Sequence, residues 1–187
     1  MKKSLILKST IALALATPLL ASAESDLTVG SGSAAAKLNF QVIIPRVLFL
    51  AVGTGNATLA DNTTVDLLSY DYSASVADIG TGTDSAAQAV SVRVLGNNGQ
   101  IQIAAGGSGT GLVNSLVPAE IIPWTEILAT SSAATLAAPA VGGTANPTLS
   151  AGRVTNRTAT WNFAYSNTNM PAPGTYTGQI TYTATMP

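Results

Sequence analysis

The chain has no cysteine and no histidine among its 187 residues. Without histidine it lacks the commonest general base and the commonest metal ligand. Without cysteine it can form neither disulfides nor thiol nucleophiles. The two absences together exclude Ser/His/Asp triads and ordinary zinc or copper sites. Charge is also scarce: Asp, Glu, Lys and Arg make up 9% of the chain, against roughly 25% in typical globular domains. From residue 24 onward the basic residues are Lys37, Arg46, Arg93, Arg153 and Arg157; these five against nine acids leave a formal charge of −4. That balance supplies no basic patch for nucleic acid. No later apolar run approaches the roughly 20 residues that cross a bilayer, because Pro45 and Arg46 interrupt the most apolar segment, Val42 to Val52. No stretch of eleven residues or more repeats its apolar positions with helical period.

What is present begins with a leader. Lys2, Lys3 and Lys8 precede an apolar stretch from Ile11 to Leu20, and Ala21, Ser22 and Ala23 form a small-residue cleavage site. Residues 1–23 thus read as a signal peptide, and the expected location is the periplasm, the cell surface or an extracellular fibre. Residues 24–37 form a Gly/Ser/Ala-rich entry segment, flexible or strand-like, and residues 38–187 are expected to form one domain. A chain of this length buries a core without covalent staples.

Period-two alternation dominates that domain. Leu38 to Ile44 reads as a strand with Leu38, Phe40 and Val42 on one side, and Pro45 breaks it. Arg46 to Val52 is nearly continuously apolar, the pattern of a strand covered on both faces. Val65 to Tyr72 resumes strand character. Val90, Val92 and Val94, then Asn97-Asn98-Gly99, then Ile101 and Ile103 read as a β-hairpin, since Asn and Gly tolerate the positive φ of a tight turn. Ile121 to Leu128 is compatible with a short strand or a single helical turn, and Ala133 to Gly152 with an extended surface connection. Trp161, Phe163 and Tyr165 share a face and read as core. After the turn at Pro173-Gly174, Tyr176 to Met186 alternates with threonines, and this segment is expected to pair with the tryptophan strand as a closing hairpin. The expected fold is all-β: an antiparallel two-sheet sandwich of about seven to nine strands with Greek-key connections, immunoglobulin-like or WxL-like.

Candidate sites are few. Paired carboxylates can act on glycosides, but among Asp61, Asp66 and Asp71 the last two have opposite strand parity and would face opposite sides. Asp78 and Asp84 bracket Gly80 and Gly82, a composition that can bind calcium through oxygens, although the spacing matches no EF-hand and a solvated turn accounts for it. The glycine-rich run Gly106 to Gly111 lacks the lysine and helix of a phosphate loop. Trp124, beside Pro123, is a candidate surface contact. No cofactor is implied, and the residues point away from an enzyme.

Three stretches carry a family likeness: LNFQVIIPRVLFLAVG from Leu38, the strand around Trp161, and PGTYTGQITYTATMP from Pro173. They resemble exported, cysteine-free bacterial β-proteins that include FilA-like filament or pilus-associated subunits, and the ending is similar to the C-terminal strand of WxL-type wall-binding domains. No Trp-x-Leu signature accompanies that ending. The resemblance implies a structural subunit of a surface fibre or fimbrium, self-associating by β-strand addition, with other copies or an assembly chaperone as partners. Leu27 and Val29 are then the candidate assembly strand. The alternative is a monomeric module that binds cell-wall polysaccharide through Trp124 and the loops around Asp78 and Gly109.

Overall fold

The structure is a computed structural model and describes residues 24–54 and 59–187. The predicted signal peptide lies outside the described residues. The chain divides into two units, Met1–Ile44 and Pro45–Pro187, and each is taken by itself.

In the first unit the described residues contain no strand. The predicted strand from Leu38 to Ile44 is therefore not formed. Its alternation is real, but a strand exists only where a neighbour takes up its backbone N–H and C=O groups. Leu38, Phe40, Val42 and Ile44 are 62%, 87%, 82% and 78% exposed. Residues 26–35 are closed into a loop by the Thr28 hydroxyl on the Ser33 carbonyl (3.2 Å) and the Ala35 N–H on the Asp26 carboxylate (3.4 Å).

The second unit is all-β. Among its described residues are ten strands: β1 Leu48–Val52, β2 Gln88–Gly96, β3 Gln102–Gly107, β4 Gly111–Asn114, β5 Ile121–Pro123, β6 Ile127–Ser131, β7 Thr144–Ala145, β8 Thr155–Tyr165, β9 Tyr176–Thr177 and β10 Ile180–Thr185. Three antiparallel sheets result, ordered β1-β2-β8-β6, β10-β3-β7 and β5-β4-β9. Sequence alternation anticipates fewer strands because β5, β7 and β9 are too short to alternate visibly. The third sheet continues the β3/β10 ladder past an offset where the Ser108 N–H meets the Gln179 carbonyl at 2.8 Å.

The first two sheets close over one core. Val90, Val92 and Val94 of β2 and Trp161 and Phe163 of β8 face Ile101 and Ile103, with Leu136 beside them. The Trp161 ring packs against Tyr182 of β10 across the core, centroids 5.1 Å apart. The Trp161 indole N–H donates to the Leu136 carbonyl at 3.0 Å, so the one polar atom of a fully buried ring is satisfied.

Both predicted hairpins are instead crossings between sheets. β2 pairs with β1 and β8, whereas β3 pairs with β10 and β7. Residues 97–99 form an arch over the sandwich edge, with Gly99 at φ +92°. A positive-φ glycine serves an arch as well as a hairpin turn, and the third position alone does not tell them apart. Likewise β8 and β10 lie in different sheets, so the final pair is no hairpin, although the threonines of β10 face outward as expected.

Other expectations are corrected too. β1 is a sheet edge whose side chains are half-buried or exposed, not a strand covered on both faces. Residues 65–72 form no strand; Leu68, Tyr70 and Tyr72 turn inward while Val65 and Leu67 stay exposed. Residues 133–152 are not merely a surface connection, since Leu136 is fully buried. Residues 121–128 contain both a strand and a helical turn, β5 leading into a single 3-10 turn at Trp124–Glu126.

Candidate assembly surface

The edge strands of the sandwich are β1 and β6 in the first sheet and β10 and β7 in the second. The segment following β6 folds Leu136 and Ala138 onto the core. β1 and β10 touch one another, yet this side of the core is less covered. Val94, Ile101 and Ile103 are 0% exposed, while Leu50, Val52, Tyr182, Ala184 and Met186, which face the same core from β1 and the end of the chain, are only partly buried. Burial pushes the Tyr182 hydroxyl up to about 12. β10 carries no charge and no proline, two devices that blunt exposed edges in natural sheets.

The start of β1 is clamped. The Asn97 side chain accepts from the Val47 N–H (2.9 Å) and donates to the Pro45 carbonyl (2.7 Å), and the Asn97 N–H reaches the Val47 carbonyl at 3.3 Å. These bonds extend the β1/β2 ladder beyond Leu48. Arg46 and Asn98 both donate to the Pro187 carbonyl, tying the end of the chain to the same place.

Leu27 and Val29 are 85% and 90% exposed and belong to the small loop of residues 26–35. Trp124 is half-buried: its indole N–H donates to the Gly109 carbonyl at 3.2 Å. A Cβ on Gly178 would sit 2.8 Å from the Trp124 ring, and one on Gly107 would also strike it, so both glycines let the ring lie flat on the backbone. Trp124 and the glycine-rich loop thus form one packed corner of the third sheet.

Asp78 and Asp84 line an open cleft of about 520 Å³ together with Tyr70, Tyr72 and Gln88. Burial, followed by the two aspartate charges, pushes the Tyr72 hydroxyl up. Asn167, at φ +53°, staples the loop by accepting from the Gly80 N–H (2.8 Å) and donating to the Asp78 carbonyl (2.6 Å). Among the described residues no group of three or more acidic, histidine or cysteine side chains is placed to hold a metal. Asp66 accepts from the Thr54 hydroxyl and N–H, both at 2.6 Å, and Asp71 from the Ser73 N–H at 2.8 Å. These bonds hold each carboxyl below its ordinary value. Both acids are thereby committed to local turns.

Sequence reasoning missed Glu126. It is 4% exposed and accepts from the hydroxyl of Ser166 (2.7 Å), the N–H of Thr168 (2.9 Å), the Thr168 hydroxyl and the Asn169 amide (2.9 Å). Burial pushes this carboxyl up, but the Thr168 and Ser166 hydroxyls and the backbone donors outweigh it and hold it below its usual range. It fixes the turn after β8, and nothing in the local sequence marks it. Among the described residues no helix is long and apolar enough to cross a membrane. No protein-family model and no curated protein sequence matches the chain.

Proposed function

We propose that the chain is a structural subunit of a bacterial surface fibre or pilus-like assembly whose copies join by β-strand addition. One observation carries this reading: apolar residues from Leu38 to Ile44 alternate as a strand does, yet they stand in water without a sheet. Contiguous exposed apolar surface of this kind marks an interaction site. An extended segment of one copy that completes the sheet of another satisfies its backbone and buries its apolar face in one step. Low charge supports the reading, since it leaves little repulsion between copies. Export by the N-terminal leader belongs to the same proposal.

Negative-stain microscopy of the purified chain from Glu24 onward, and of cells that produce it, tests the reading. Filaments are expected in both. A protein that sediments as a monomer at every concentration, and cells without filaments, would refute it. Retention on isolated cell wall, lost on Trp124→Ala with the fold intact, would instead establish the polysaccharide-binding module.

A further inference from the structure

The order β1-β2-β8-β6 is that of strands A, B, E and D in an immunoglobulin-type sandwich, and β3 and β10 take the places of C and F. In that architecture a further strand, G, lies beside F on the side away from C. Among the described strands none occupies the place beside β10 opposite β3. This is also the side where Tyr182 and Ala184 of β10 and Leu50 and Val52 of β1 are left half-buried. The topology and the incomplete burial thus mark the same side of the sandwich, where β1 and β10 touch without pairing.

Resting on strand addition as the mode of assembly, we infer that residues 38–44 of a second copy fill this place. Leu38, Phe40, Val42 and Ile44 alternate with Asn39 and Gln41, Ile43 being the one apolar residue on the polar side, as Ile180, Tyr182 and Ala184 alternate with Thr181 and Thr183. With the donated strand antiparallel to β10, the even-numbered residues of both face the core and the polar positions stand side by side in water. The phase of the two patterns agrees. β1 does not match so well, because Phe49 and Ala51 make its outer face apolar as well. Leu27 and Val29 supply only two apolar side chains in a loop closed by its own hydrogen bonds. Since β1 and β10 touch, entry of the strand parts them by one strand spacing, about 4.8 Å.

The absence of cysteine makes the test clean. Asn39→Cys and Gln41→Cys are mixed, each as a single variant of the full chain, with Thr181→Cys, Thr183→Cys or, on the other edge, Thr130→Cys. All five positions are exposed or half-exposed and polar, so the substitutions spare the core. Adjacent antiparallel residues lie about 4.5–5.5 Å apart between Cα atoms, within the range of about 4.4–6.8 Å that a disulfide spans. Under mild oxidation, cross-linked dimers between the donor variants and Thr181→Cys or Thr183→Cys are expected, and none with Thr130→Cys. Phe40→Asp should abolish both the cross-link and filaments, whereas Val29→Asp should leave them. Filaments without the β10 cross-link, or cross-links at Thr130 alone, overturn the inference while sparing strand addition. A strictly monomeric parent protein overturns both.

Discussion

At the scale of single residues, the buried polar groups set the response to pH. Glu126 is held ionised by its ring of donors. A carboxyl whose folded value lies below its unfolded one contributes stability above the unfolded value and loses it as pH falls through the folded one. Melting temperature should therefore fall on acidification below the ordinary glutamate range, and Glu126→Gln should flatten that limb. At neutral pH the same variant should cost about 1–3 kcal/mol, since the amide turns a donor toward donors; chemical denaturation measures it. Tyr165 shows the opposite situation. Its hydroxyl is buried without a partner among the described residues, while its ring packs against Tyr70 and Tyr72 at 6.5 and 6.0 Å. Tyr165→Phe keeps the rings and removes the orphan, so stability should stay level or rise by about 1 kcal/mol; a loss would show that the hydroxyl has a role in the folded state.

At the scale of elements, Asn97 holds the entry to β1 through both ends of its amide. Asn97→Ala should cost about 1–2 kcal/mol and raise amide hydrogen exchange at Val47 above that of Ala51, whose N–H faces β2 in the same ladder. Equal exchange at both would mean that the clamp does not order the strand entry. The elements also show what is legible in a sequence. Facing was readable: Val90, Val92 and Val94, Trp161 and Phe163, and Tyr182 and Ala184 point inward as their alternation says. Pairing was not. The arch at residues 97–99 has hairpin residues, and only contacts with β8 and β10, both far along the chain, decide which sheet each flank joins. Leu38 to Ile44 alternates as well as β2 does, but alternation reports a preference for a sheet and not the presence of one. That β10 pairs on one side alone among the described strands depends on sheet order, so no local pattern disclosed it. Glu126 escaped for the same reason, because its donors come from about forty residues downstream.

At the scale of the whole molecule, scarce charge and a partly open core predict how copies respond to their medium. Association of the proposed kind, driven by apolar burial and main-chain bonds, should survive molar salt, because only 9% of the residues carry charge that salt could screen. Sedimentation across a salt series checks this; dissociation at high salt would mean that charge holds the copies together.

The Asn97 clamp has a mechanical meaning as well. In a fibre of the proposed kind, built on residues 38–44, tension would pass covalently through Pro45 into β1. The bonds to β2 run across the strand axis, so under a pull along that axis the five residue pairs from Leu48↔Gly96 to Val52↔Val92 would share the load in shear. They resist together, whereas a strand peeled from its end would release them one at a time.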